Sequence, residues 1–121
     1  MKTDESQEMY LETIYRLKSK KSNVHAIDVA EELGYSKPSV SRAVGILKTN
    51  GYITVKDDGT IFLTAEGTEK ASAVYDRHKI LTEALIRVGV EPTSAEDNAC
   101  RIEHVISEDA FEAVKEYVKR Q

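Results

Sequence analysis

The sequence predicts a mainly α-helical chain interrupted by one short β hairpin. Three observations carry that expectation. Apolar residues recur at helical spacing through most of the chain. Caps and glycine stops divide that pattern into separate segments. One β-branched and aromatic stretch is followed by Asp57-Asp58-Gly59, a strong hairpin turn. With 121 residues, the chain has room for one domain, or a small domain with a helical extension.

The elements follow in order. Residues 5–20 read as a helix, because Tyr10, Leu11, Ile14, Tyr15 and Leu17 form one apolar band. Asp4 suits its N-cap, and the Lys18–Lys21 run suits its C-terminal end, where the helix dipole favours cations. Ile27, Val29, Ala30 and Leu33 mark a second, short helix that Gly34 ends. Ser36 caps a third, with Pro38 in its first turn; Val40, Val44, Ile46 and Leu47 carry it to Asn50-Gly51. Residues 52–55 and 61–63 are the paired strands. Thr64 then caps a long helix from Ala65 to about Val88, closed by Gly89. Ser94 is expected to cap a fifth helix reaching Ile106, and Ser107 a sixth, from Glu108 to about Lys119.

Composition excludes several classes. No run of about 18 apolar residues occurs, so no span of a membrane is expected. The N-terminus lacks the apolar core of a secretory signal. Cys100 is the single cysteine, which rules out an internal disulfide and fits a reducing cytoplasm. Phosphate-binding glycine loops, HExxH and GxSxG are missing, which removes the commoner enzyme signatures. The net charge of −4 argues against generic nucleic-acid binding, but the charges are unevenly spread. Residues 33–56 hold Lys37, Arg42, Lys48 and Lys56 and no acid, whereas residues 89–112 hold seven acids against Arg101. The bland reading is two solvated faces of a mixed surface.

Helix, tight turn, helix, then a two-stranded hairpin is the order of a winged helix-turn-helix. The third helix opens with Ser36, Lys37, Pro38, Ser39, Ser41 and Arg42, small or basic residues that let a helix enter a major groove. Lys56, on the wing, is placed to reach an adjacent phosphate. Three plainer readings stand beside this one. The fold serves protein contacts only; Ser36 is no more than a cap; Arg42 pairs with Glu31 or Glu32.

A second constellation lies in the acidic stretch. Cys100, Glu103 and His104 stand at i, i+3 and i+4, which on a helix puts thiolate, carboxylate and imidazole on one face. These are common ligand types for a first-row transition ion. Met9 and Glu12, at i and i+3 of the first helix, add a thioether and a carboxylate, and His78 lies on the long helix. Singly, Cys100 reads as a small buried hydrophobe, Met9 as core filler and His104 as a hydrogen-bonded imidazole. Together they read as ligands, though three residues do not close a coordination sphere.

Across essentially its whole length the chain resembles the diphtheria toxin repressor family of metal-dependent transcriptional regulators. The likeness lies in EMYLETIY, IDVAEELGYSKPSVSRAV, the LTAEG after the wing, YDRHKILTEAL and DNACRIEHVISED. It implies residues 1–64 as a winged helix-turn-helix DNA-binding domain and 65–121 as a helical metal-binding and dimerisation domain. It implies metal ligands at Met9, Cys100, Glu103 and His104. A second family site, built on a histidine and a carboxylate one turn on, is matched at His78 but meets Thr82 and Glu96 elsewhere; Glu12, with Glu96 and His78, stands in for it. The SH3-like barrel of iron-type members is not expected.

The expected function is a cytoplasmic, metal-activated repressor that binds a double-stranded palindromic operator as a homodimer, without a small organic substrate and without enzymatic activity. Val74, Leu81, Leu85, Val105 and Phe111 are its candidate interface positions. Thiolate and thioether donors point to Fe(II), with Mn(II), Co(II), Ni(II) and Zn(II) as other candidates. The alternatives are a manganese-responsive repressor, a regulator gated by oxidation of Cys100, and a metal-dependent hydrolase.

Overall fold

The structure, a computed structural model, describes the backbone of residues 2–120 and the side chains of residues 5–120. The elements run α1 (Lys2–Lys18), α2 (Ala26–Leu33), α3 (Lys37–Thr49), β1 (Ile53–Val55), β2 (Ile61–Leu63), α4 (Ala65–Arg87), α5 (Pro92–Ile102) and α6 (Glu108–Arg120). The chain divides into two compact units, with the boundary between Ser72 and Ala73 inside α4.

The first unit packs α1, α2, α3 and the hairpin around one core. Leu11 and Ile14 of α1, Val29 of α2, Val40 and Leu47 of α3, and Ile53 and Ile61 of the strands are all buried there. α1 begins earlier than its apolar band announces, so the backbone of Asp4 lies inside the helix; its side chain, the expected cap, lies outside the described residues. α2 starts at a cap that the sequence pattern missed: the Asp28 carboxylate accepts the His25 backbone N–H at 2.8 Å. Gly34, at φ 71°, ends it. Ser36 caps α3, its Oγ accepting the Ser39 N–H at 3.4 Å.

The strands pair antiparallel in the register Ile53↔Leu63, Thr54↔Phe62 and Val55↔Ile61, which turns Ile53 and Ile61 into the core. Such a hairpin is marginal alone. It is secured at its base, where Ile61 N–H donates to the Val24 carbonyl at 2.8 Å and Thr64 N–H to the Tyr52 carbonyl at 3.0 Å. Thr64 Oγ1 caps α4 by accepting the Gly67 N–H at 3.0 Å. Gly67 permits that approach, since a Cβ there would stand 2.0 Å from the Tyr52 carbonyl oxygen.

The second unit gathers Leu81 of α4, Ala99 of α5 and Phe111 of α6 into its own core. Leu81 and Phe111 therefore pack within the chain and are not open interface positions; Val74 is likewise buried, whereas Val105 is 61% exposed. α5 differs from the expectation at both ends. Its N-cap is Glu91, whose Oε1 accepts the Ser94 N–H at 3.1 Å, so Ser94 lies within the first turn. It stops at Ile102 because residues 103–107 must turn the chain before Ser107 can cap α6. Ser107 does so, its Oγ accepting the Ala110 N–H at 3.3 Å.

Candidate functional site

The outer side of α3 is the first candidate surface. Because Val40 and Leu47 face the core, Ser36, Lys37, Pro38, Ser41 and Arg42 are exposed and Ser39 is half-buried. The start of the helix is held in shape by its own side chains, with Ser36 Oγ donating to Ser39 Oγ at 3.0 Å and Arg42 Nη2 to the same oxygen at 3.5 Å. Arg42 makes no ion pair with Glu31 or Glu32 among the described residues. On the wing, Lys56 is exposed, with its Nζ 5.4 Å from the centre of the Phe62 ring.

The second candidate lies in the second unit. His78 of α4, Cys100 of α5 and Glu103, the C-cap of α5, bring their ligand atoms within 4.8 Å of one another. His78 Nδ1 is 2.8 Å from Glu103 Oε1 and 3.8 Å from Cys100 Sγ. The other Glu103 oxygen lies 3.2 Å from His104 Nε2. His104 does not extend a helical face, as its spacing implied, because α5 has already ended and it sits in the following turn. Glu103 is what holds the two imidazoles together.

Burial sharpens this chemistry. Glu103 is fully buried and His78 is 3% exposed, while Cys100 opens to solvent. The bonds from Cys100 first and Glu103 second push the His78 imidazole up to about 10, against desolvation. The cluster therefore demands a positive charge beside its carboxylate. A proton on His78 supplies one, but leaves His78 Nε2 buried without a hydrogen-bond partner among the described residues. A divalent ion would meet the same demand. Nitrogen, sulfur and oxygen donors at this separation fit a transition ion, so the residues present suit a metal.

The remaining sequence candidates are placed as follows. Met9 is half-buried on α1, where Tyr35 Oη donates to its Sδ at 3.7 Å. Glu12 is buried on α1, 3.5 Å from Arg16. Glu96 is exposed on α5 and joins none of the clusters that could hold a metal among the described residues. Thr82 donates to the His78 carbonyl at 2.7 Å. Sequence reading missed Arg77. Its guanidinium donates to the Glu103 carbonyl at 3.2 Å and to Glu108 at 2.9 Å, holding the C-terminus of α5 in place. Only its position one residue before His78 hinted at this.

Comparison with known proteins decides the family. The sequence model described as "Iron dependent repressor, N-terminal DNA binding domain" matches residues 2–61, and "Iron dependent repressor, metal binding and dimerisation domain" matches residues 64–120. The chain belongs to the iron dependent repressor family. Within that family it is 34% identical to the diphtheria toxin repressor of Corynebacterium diphtheriae over 103 residues, which are 84% of this chain and 46% of that protein. It is 32% identical to the transcriptional regulator MntR of Escherichia coli O157:H7, over 92% of this chain and 72% of MntR. The chain thus spans about half the length of the first relative and most of the second. Among solved structures, a manganese-dependent transcriptional repressor in complex with manganese shares the fold, with a TM-score of 0.86 at 23% identity over 93% of this chain and 52% of that one. As a member of this repressor family, the chain carries a DNA-binding part and a metal-binding, dimerising part. No helix among the described residues is long and apolar enough to cross a membrane.

Proposed function

We propose that the chain is a metal-activated transcriptional repressor that works as a homodimer on palindromic DNA in the cytoplasm. The observation that carries this reading is the His78–Cys100–Glu103 cluster, with His78 and Glu103 buried and Cys100 open to solvent, in a chain whose other unit offers an exposed, basic α3. The ligands of the second unit are His78, Cys100, Glu103 and His104, with Glu96 the weakest candidate by its position. Met9 and Glu12 are further ligands on the family resemblance.

In the DNA-binding unit, α3 enters the major groove. Arg42 and Ser39 meet base edges; Ser36, Lys37, Pro38 and Ser41 pack against the backbone; Lys56 reaches a neighbouring phosphate. Two such units related by a two-fold axis would read half-sites roughly 34–36 Å apart. His78, Cys100, Glu103 and His104 would hold the ion, which would supply the positive charge that the buried Glu103 carboxylate needs. A coupling of roughly 1–3 kcal/mol is enough to change DNA affinity about 5- to 150-fold.

Fe(II) is the favoured ion, because a thiolate donor is softer than manganese prefers. The second reading, a manganese-responsive repressor, is favoured by the likeness to MntR. The deciding experiment titrates DNA binding with Fe(II), Mn(II), Co(II) and Zn(II) under anaerobic, reducing conditions, using duplexes selected by the protein from a random-sequence pool. Binding that strengthens most with Fe(II) supports the reading. Binding indifferent to every ion overturns it and leaves a regulator gated by Cys100 oxidation.

A further inference from the structure

The turn of the wing is closed by Lys56 N–H to the Thr60 carbonyl at 2.9 Å and Gly59 N–H to the Lys56 carbonyl at 2.8 Å. Those bonds shape the turn but do not fix where it points. Val24 secures the base of the hairpin; at its tip the tie is His25, whose Nε2 lies 3.1 Å from the Asp58 carbonyl oxygen. A carbonyl only accepts, so Nε2 carries the proton and donates it. His25 is itself anchored. Its backbone N–H is held by Asp28 at 2.8 Å, and Lys21 Nζ grips the same carboxylate at 2.8 Å. The ring also packs against the turn, since a Cβ on Gly59 would stand 3.0 Å from His25 Cδ2. With φ 89°, Gly59 suits the turn on both counts.

The turn carries one base, Lys56, between strand β1 and two acids, Asp57 and Asp58. A swinging turn offers phosphate no net attraction, whereas a turn held in one orientation fixes where Lys56 stands relative to the two acids. We propose that His25 is a positioning residue for DNA binding: it clamps the wing turn to the start of α2 and so aims Lys56 at a backbone phosphate. This rests on the reading of the wing as a DNA contact. Nothing in the amino-acid pattern marks His25 for the role, because its partner is a backbone carbonyl 33 residues away.

The test compares His25→Phe, His25→Ala, His25→Gln and Lys56→Ala in the metal-loaded full chain. Affinity for a selected duplex is measured across a salt series. His25→Phe keeps the ring and loses the donor; it is expected to bind roughly 3- to 10-fold more weakly, the worth of one hydrogen bond. Its salt slope should flatten by about 1 per subunit, as a lost phosphate contact requires. Lys56→Ala should flatten the slope equally, and the double variant should lose no more than Lys56→Ala does. His25→Gln, which keeps an N–H at similar reach, should restore both affinity and slope. If His25→Ala fails to fold, His25→Phe decides. A flattened slope in Lys56→Ala with a wild-type slope in His25→Phe overturns the role of His25 and leaves the wing contact standing. A wild-type slope in Lys56→Ala overturns both.

Discussion

Glu103 Oε1 sits 2.8 Å from His78 Nδ1, across 25 residues of sequence, with both side chains almost wholly out of solvent. A carboxylate so placed is stable only beside positive charge. The same contact puts His78 of α4 into one cluster with the turn after α5, and it makes His78 the centre of the proposed metal site.

Replacing His78 tests that centre directly. His78→Ala is expected to lower affinity for a divalent ion by at least about tenfold, with helix content near wild type by circular dichroism. Competition against a chromophoric chelator reads the affinity. Unchanged ion binding would remove His78 from the ligand set.

Cys100 gives an independent readout. A ligating cysteine is a thiolate held by the ion, so metal loading should slow its alkylation and release protons. Its exposure makes the metal-free thiol accessible to iodoacetamide. Equal alkylation rates with and without metal would mean that Cys100 does not bind the ion.

Gly45 lies inside α3, on the exposed side, beside a shallow groove shared with Arg42, Ile46, Thr49 and Asn50. A Cβ there would meet nothing within 4 Å, so the free chain has no need of glycine. Gly45→Ala is therefore expected to stabilise the protein by about 0.4–1 kcal/mol. If α3 lies against DNA, the same methyl group should weaken operator binding. Calorimetric melting and a binding isotherm read the two effects, and a variant that binds as tightly as wild type would take this part of α3 out of the interface.

Asp28 carries a pH prediction. Its carboxyl is held below the usual carboxylate range, first by the Lys21 hydrogen bond and then by the His25 N–H. A depressed folded value means stability that is present above the unfolded value of about 3.9 and is lost as pH falls through the lowered one. Asp28→Asn keeps an acceptor and removes the charge, so it should cost about 0.5 kcal/mol at pH 7. The gap to wild type should close in acid. Melting curves at pH 7 and pH 2.5 check this, and a gap of equal size at both would assign the effect to something other than the charge.

Most elements were legible because their signals are local. The apolar band of α1, Gly34 after α2, Ser36 before α3 and the Asp57-Asp58-Gly59 turn each act within a few residues, and the structure forms a helix, a stop, a cap and a hairpin there. The chain's family was legible for a related reason, since motifs spread over both units match it in register. The local reading failed where two signals competed for one end. Ser94 looked like a cap, but Glu91, one position before the helix, takes that role by accepting the Ser94 N–H. The i, i+3, i+4 spacing of Cys100, Glu103 and His104 promised a single helical face, but the helix had to stop before Ser107.

What the sequence by itself determined was therefore the element order, the winged arrangement, the family and a set of candidate ligands. Only tertiary structure decided which of them meet. His78 turns to Glu103 and Cys100, while Glu96 stays in solvent. Arg77 ties down the C-terminus of α5, and His25 reaches the wing. The physical reason is the range of the forces involved. Caps, turns and periodicity are written in neighbouring residues. A buried carboxylate finds its cation, and an imidazole its carbonyl, across 25 and 33 positions, through packing that no local pattern encodes.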